Sequence, residues 1–118
     1  MYIADVQKTY AMVIGAVLVL VGLIGFVNAP IFGVFGVNTA QNFLHLVGGA
    51  LMLWAGSKGN AKKANTWLGY ISAAVAVLGF VPGAKELLAS IFAINMAITW
   101  LHAAIAVVSL GVVFGVKG

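Results

Sequence analysis

The fold is decided by an uncharged stretch near the N-terminus, YAMVIGAVLVLVGLIGFV, which runs from Tyr10 to Val27. As an α-helix it would be about 27 Å long, close to the ~30 Å thickness of the hydrocarbon core of a bilayer. Backbone N–H and C=O groups in lipid must find their partners within the segment, so we predict a membrane-spanning helix. Lys8 followed by an apolar run is also a feature of cleaved signal peptides. This run is longer than an ordinary signal core, and we interpret it as the first span.

Three more stretches of similar length and polarity follow, and the same argument predicts a helix for each. The four predicted spans comprise residues 10–27, 39–56, 64–81 and 96–116. They are joined by a polar turn at 57–63 and by connections at 28–38 and 82–95, the last with a short amphipathic stretch. We therefore predict an all-α integral membrane protein, a four-helix bundle that forms one domain over residues 1–118.

The composition excludes an ordinary soluble protein. Of the 118 residues, 64% are hydrophobic and 7% are charged, whereas soluble domains carry about 25% charged residues. The charged residues are six lysines, Asp5 and Glu86, too sparse a set for a nucleic-acid partner. With two acidic side chains, two histidines and no cysteine, we expect no enzyme, no catalytic residue and no metal site.

The positions of the lysines predict the orientation of the chain. With four spans, both termini lie on the same side of the membrane as the turn at 57–63. The lysines on that side are Lys8, Lys58, Lys62, Lys63 and Lys117. Only Lys85 lies on the other side. Lysine-rich loops stay in the cytoplasm, so both termini are predicted to be cytoplasmic, in a plasma membrane or a thylakoid-like internal membrane. The lipid bilayer, with its anionic headgroups, is then the first partner of the chain.

The second half of the chain repeats the first. VNTAQNFLH at 37–45 aligns without gaps with INMAITWLH at 94–102, an offset of 57 residues. The tripeptide GFV occurs at 25–27 and again at 79–81. We interpret the repeats as two helical hairpins, approximately 10–56 and 64–116. Each crosses the membrane twice, so a pseudo-twofold axis along the membrane normal is expected to relate them.

Polar residues recur on one face of the second and fourth predicted spans. Spacings of three and four residues relate Asn38, Asn42, His45, Gly49 and Met52. The same phases in the fourth span hold Asn95, Thr99, His102, Ala106 and Ser109. Polar groups in a membrane are costly unless they face protein, so both stripes are predicted to point to the bundle centre. The two histidines then lie at equal depth.

Two interpretations of the histidines are open. In the first they are structural: His45 hydrogen-bonds with Asn42, and His102 with Thr99, one turn away. In the second, His45 and His102 are axial ligands of a tetrapyrrole, either haem b or, as a resemblance to photosynthetic membrane proteins implies, chlorophyll. The small residues Gly49 and Ala106, one turn after each histidine, would allow close helix approach in the first interpretation and would make room for the macrocycle in the second.

The shortage of reactive groups favours a non-enzymatic accessory or scaffold subunit of a larger membrane assembly. Two small-residue patterns, Ala11 to Gly15 and the G-x-x-x-G of Gly111 to Gly115, would serve self-association, docking on other membrane proteins, or packing within the bundle. A small transporter or channel along the pseudo-axis is a weaker alternative, because the polar stripes hold no charged side chain.

Residues 35–49, FGVNTAQNFLHLVGG, resemble a family of small bacterial four-span membrane proteins of unknown function. The pattern of that family is Asn-x-x-His followed by glycine in span two, and Leu-His in span four. Asn42, His45 and Gly48 or Gly49 match the first part, and Leu101 with His102 matches the second. In the second copy, Thr99 stands where asparagine would complete the pattern. The resemblance implies a four-helix membrane protein and supplies no activity.

Overall fold

The computed structural model of the chain describes residues 3–29 and 31–115, and it is all-helical over that part. The five helices are α1 Ile3–Val27, α2 Thr39–Ser57, α3 Ala61–Phe80, α4 Ala84–Phe92 and α5 Met96–Gly115. The all-α prediction is confirmed, and the four long helices coincide with the four predicted stretches. The additional short helix, α4, lies in the connection at 82–95 and forms its amphipathic part. Lys117 and the end of the last predicted span lie outside the described residues.

Two of the described helical segments are long and apolar enough to cross a membrane: Val6–Val27 of α1, and α5. A third candidate is the pair α3 and α4, which meets the criterion only together and is bent by 114° at the break. By length and composition, the described residues therefore contain two helices that could cross a membrane, or three if the bent pair is one span. The α2 helix contains Gln41, Asn42 and His45, which lower its average hydropathy.

The helices form two closely packed pairs, α1 with α2 and α3 with α5. The two pairs contact each other mainly through α1 and α3. Among the described residues, no Cα atom of α2 lies within 8 Å of a Cα atom of α5. Glycine sets the closest approach within the first pair. A Cβ atom on Gly49 would lie 2.6 Å from the carbonyl oxygen of Gly15. The small residues Ala11 and Gly15 thus pack inside the chain, since Ala11 is also fully buried.

The two connections at the lysine-poor end fold onto each other. Ile31 and Val37 of the first connection form one buried apolar cluster with Ile94 and Ile98, which lie after α4. The chain leaves α4 through Ala93, whose left-handed conformation (φ 57°) ends the helix and turns the backbone toward α5. This cluster fixes the relative position of α2 and α5 at their N-termini.

Candidate functional site

The two predicted polar stripes lie on the inner faces of α2 and α5. Their buried members are Asn42, Gly49, Met52, Thr99, Ala106 and Ser109. His45 and His102 are partly buried. The structure thus brings the residues of both stripes to the inner faces of the two helix pairs, while Asn38 and Asn95 have a different role at the helix starts.

Asn38 and Asn95 make the same pair of contacts in the two halves. Each side-chain oxygen accepts a hydrogen bond from a backbone N–H of its own helix, that of Gln41 at 2.9 Å and that of Ile98 at 3.0 Å. This is N-terminal capping, the role in which asparagine is strongly preferred. Each residue therefore begins its helix, and its side-chain oxygen is occupied locally.

The amide nitrogens of these two caps cross to the opposite half. Asn38 donates to the carbonyl of Ile91 at 2.9 Å, and Asn95 donates to the carbonyl of Val34 at 2.8 Å. The two acceptors are 57 residues apart, as are the two asparagines, so the contacts are copies of each other under the sequence repeat. Each cap thereby fastens its own helix to the connection of the other half.

Asn42 and Thr99 occupy equivalent positions and both face a glycine of the neighbouring helix. A Cβ atom on Gly25 would collide with the side-chain amide of Asn42, and one on Gly79 would collide with the hydroxyl of Thr99. Both glycines open a copy of the GFV tripeptide. Asn42 and Thr99 are each 2% exposed, so these glycines let a polar side chain enter the helix interface.

The predicted hydrogen bonds of the histidines are not formed. The Nδ1 atoms of His45 and His102, and the Oδ1 atom of Asn42, are buried without a hydrogen-bond partner among the residues that the structure describes. The amide of Asn42 is packed against Gly25 of α1 instead of pairing with the histidine one turn away.

The space predicted beside Gly49 for a macrocycle is filled by α1. A Cβ atom at Gly49 would come within 2.8 Å of the backbone nitrogen and a methyl group of Val19. Ala106, its counterpart on α5, is buried. The two small residues therefore serve helix packing in this structure. Within the described ranges, no group of three or more His, Cys, Asp or Glu residues could hold a metal ion.

A second polar cluster, which the sequence analysis missed, joins three helices at the lysine-rich end. Asn65 of α3 is fully buried and donates to the backbone carbonyl and the side-chain oxygen of Gln7 of α1, at 3.0 and 2.9 Å. Gln7 donates in turn to the carbonyl of Val112 of α5 at 2.9 Å. Beside them, the hydroxyls of Tyr10 and Ser109 share a hydrogen bond.

The missed cluster left a signal in the sequence. Asn65, Ser72 and Gly79 recur every seven residues and are all buried on one face of α3. All three residues lie within the predicted third span, 64–81, and Asn65 is at its end near the lysine turn. Gln7 lies just outside the predicted first span, because α1 begins earlier than the apolar stretch. A polar residue at the same helical spacing as buried small residues indicates a polar contact inside the bundle, which apolar content alone does not reveal.

A cavity of about 390 Å³ lies where α3, α4 and α5 meet. Its lining residues are Gly79, Lys85, Glu86, Ala89, Ala93, Ile94, Asn95, Met96 and Thr99. The carboxylate of Glu86 accepts a hydrogen bond from the backbone N–H of Gly83 at 2.6 Å. This bond lowers the pKa of Glu86 below its usual value, so the side chain is ionised at neutral pH.

The chain was compared with protein families, curated proteins and solved structures. No curated protein and no solved structure matches it. Residues 8–116 match the domain of unknown function named DUF4383. The resemblance to a family without an assigned activity is thereby confirmed, and the match covers all of the described helices except residues 3–7 of α1. The chain belongs to the DUF4383 family of unknown function.

Proposed function

We propose that the protein is a small integral membrane protein in which all four long helices cross the bilayer, and that it serves as a non-enzymatic accessory or scaffold subunit of a larger membrane assembly. The proposal has three parts, which are the number of crossings, the orientation and the docking face. Each rests on different residues and has its own test.

The outward face of α2 supports its inclusion among the spans. The polar residues that lower its hydropathy are buried against the rest of the chain, as Gln41 and Asn42 show. Its exposed large side chains are apolar: Phe43, Leu44, Val47, Leu51 and Trp54. A helix that shows lipid only apolar side chains can cross a bilayer while it carries polar groups inside. The reciprocal contacts of Asn38 and Asn95 support two hairpins related by a pseudo-twofold axis.

The distribution of exposed charge supports cytoplasmic termini. Lys58, Lys62 and Lys63 are exposed at the turn between α2 and α3. Trp54 and Trp67 flank that turn and are 58% and 62% exposed, as expected for side chains at a membrane interface. Lys85 is at the opposite end.

The chain offers a matched pair of serines for testing the orientation. Ser57 and Ser90 are both exposed, and each hydroxyl donates to the carbonyl three residues earlier. The protein has no cysteine, so Ser57→Cys and Ser90→Cys each introduce a single thiol. We expect a membrane-impermeant maleimide to label Cys at 90 in intact cells and Cys at 57 only after permeabilisation. Labelling of both from one side would contradict four crossings.

The accessory role rests on one observation, the open face at Gly111 and Gly115 of α5. Among residues 3–29 and 31–115, no atom lies within 4 Å of a Cβ built on either glycine, whereas a Cβ on Gly15 or Gly69 would meet a neighbouring helix. Within this part of the chain, no neighbouring helix packs on the G-x-x-x-G pattern. Outward-facing small residues let another helix approach closely, which is how many membrane helices associate.

A double substitution tests this docking face. Gly111→Leu with Gly115→Leu should abolish a larger complex seen by native electrophoresis of mild-detergent extracts from the protein's own membranes. Gly48→Leu is the matched control, because Gly48 of α2 also has no atom within 4 Å. It should leave the complex intact. A wild-type protein that migrates as a bare monomer would refute the accessory role, and a complex of this chain alone would restrict it to self-association.

Tetrapyrrole binding by His45 and His102, and transport along the pseudo-axis, stay predictions. Tetrapyrrole binding would require space beside Gly49 for the macrocycle, and the packing of Gly49 against α1 fills that space. An absorption spectrum of protein purified from cells supplied with haem or chlorophyll tests it directly, since bound pigment absorbs visible light.

A further inference from the structure

We propose that the cavity between α3, α4 and α5 binds the phosphoethanolamine headgroup of a zwitterionic membrane lipid. The inference rests on the membrane placement proposed above, and its test is separate from the tests of that placement. It is carried by the shape of the cavity, by the two charges on its wall and by the position of α4.

The cavity lies beside Thr99, at one of the positions where the two aligned segments differ. In the first pair, the amide of Asn42 is packed against Gly25; in the second pair, Thr99 faces Gly79 with a side chain one non-hydrogen atom shorter. The connection of the second half is also three residues longer and forms α4, which covers this space. At about 390 Å³, the cavity is within the size range of small-ligand sites, roughly 300–1,000 Å³.

Two neighbouring residues of opposite charge line the cavity, Lys85 and Glu86. They are the charged residues at this end of the described chain, since Lys8 and the lysines at 58, 62 and 63 lie at the other end. The Oε2 atom of Glu86 accepts the hydrogen bond from the backbone N–H of Gly83, and the other carboxylate oxygen takes no part in that bond. The wall as a whole is therefore neutral but strongly dipolar.

Phosphoethanolamine complements this wall. Its phosphate would pair with the ammonium of Lys85, and its own ammonium, two carbons away, would donate hydrogen bonds to the carboxylate of Glu86. A purely anionic headgroup would be repelled by Glu86. A choline headgroup would lose the hydrogen bonds, because its trimethylammonium has no N–H. Apolar side chains complete the lining, among them Ile94 and Met96, and can contact the glycerol and the first acyl carbons.

The position of α4 places the cavity at headgroup depth. The helix is bent by 114° from α3 and has no fully buried residue. Leu87 and Ile91, 58% and 48% exposed, lie four residues apart on one apolar side. A short amphipathic helix of this kind lies in the membrane interface. Lipid headgroups are therefore the most abundant molecules at the mouth of the cavity.

The test compares lipids added to the purified full-length protein in detergent, with retention measured by native mass spectrometry. We expect phosphatidylethanolamine to be retained at least tenfold more strongly than phosphatidylcholine or phosphatidylglycerol. Equal retention of phosphatidylcholine, or stronger retention of phosphatidylglycerol, overturns the proposal. Binding of free phosphoethanolamine is measured in the same way. If it binds as tightly as phosphatidylethanolamine, the site belongs to a soluble ligand, and the proposal of a lipid ligand is overturned.

Thr99→Asn tests whether the cavity is the site. It copies the residue that fills the equivalent position in the first half, and it should reduce lipid retention at least tenfold. Glu86→Gln removes the charge but keeps an oxygen that can cap Gly83, so it should fold and lose the preference for phosphatidylethanolamine over phosphatidylglycerol. Lys63→Gln, at the opposite end, is the control and should change nothing.

These outcomes are distinguishable from a failure of the proposed function. If Ser57→Cys and Ser90→Cys label from opposite sides as expected but Thr99→Asn and Glu86→Gln both retain the lipid preference of the wild type, the membrane placement holds and the headgroup site is refuted. If labelling fails, the membrane placement itself is wrong.

Discussion

The two helix pairs contain the aligned segments 37–45 and 94–102, and they pack differently. In the α1–α2 pair, Gly15 and Gly49 bring two backbones together. In the α3–α5 pair, the counterpart of Gly49 is Ala106, and a Cβ atom on Gly69 would meet the side chain of Leu110 at 2.6 Å. At these positions the first pair is therefore in backbone contact and the second in side-chain contact. Similar segments can follow a similar chain path, while the residues at single positions set the distance between the two helices of each pair.

The largest effect is expected from Gly49→Ala. The new methyl would lie 2.6 Å from a backbone oxygen of α1, which cannot move without shifting the helix. We expect the free energy of unfolding to fall by about 1–3 kcal/mol. Gly48→Ala is the control, because its methyl meets no atom within 4 Å and alanine favours a helix over glycine. Both are measured by reversible unfolding in mixed micelles, and equal stability of the two variants would show that the backbones do not touch.

The second-largest loss of stability is expected from substitutions of the capping asparagines, and it should be equal in both halves. Asn38→Ala and Asn95→Ala each remove a helix cap and a hydrogen bond to the opposite connection, which should lower the free energy of unfolding by about 1–2 kcal/mol. Asn38→Asp and Asn95→Asp keep the capping oxygen and lose only the crossing N–H, so each should lose less than its alanine variant. A large loss for one asparagine and none for the other would break the equivalence of the two contacts.

The smallest effect is expected from Asn42→Thr, which gives the first half the residue of the second. It removes an amide whose oxygen is buried without a hydrogen-bond partner among the described residues, and leaves a space of about one atom. We expect a change in the free energy of unfolding of roughly 1 kcal/mol or less. A loss above about 2 kcal/mol, by the same unfolding assay, would mean that the Asn42 amide stabilises the first pair strongly.

Much of the fold could be predicted because the signal is local. The predicted stretch 39–56 became α2, Thr39–Ser57, and 96–116 became α5, Met96–Gly115, within a residue at each end. Length and apolar content decide such helices without reference to the rest of the chain. The connection at 82–95 was recognised as amphipathic, and its bend of 114° relative to α3 was not predicted. Pro82 and Gly83, whose φ is 91°, mark a break in the helix, but the angle depends on what α4 packs against.

The candidate site was predicted less well, because hydrogen-bond partners are chosen in three dimensions. The pairing of His45 with Asn42 was expected from helical spacing, but in the structure the Asn42 side chain packs against Gly25 of α1. Asn42 Oδ1 and His45 Nδ1 have no hydrogen-bond partner among the described residues. Gln7 and Asn65 were overlooked because their contact joins residues 58 positions apart. The pairs that form depend on which helices become neighbours.

By itself, the sequence determined the helical segments, the lysine-poor and lysine-rich ends, and the equivalence of residues 37–45 and 94–102, since these follow from composition and spacing along the chain. Only the tertiary structure decided that Asn38 would bond to a carbonyl 53 residues away. It also decided that Gly111 would face outward and that a cavity would open beside Thr99. The physical reason is that burial and hydrogen bonding depend on distances between helices, and those distances are set when the two pairs pack together.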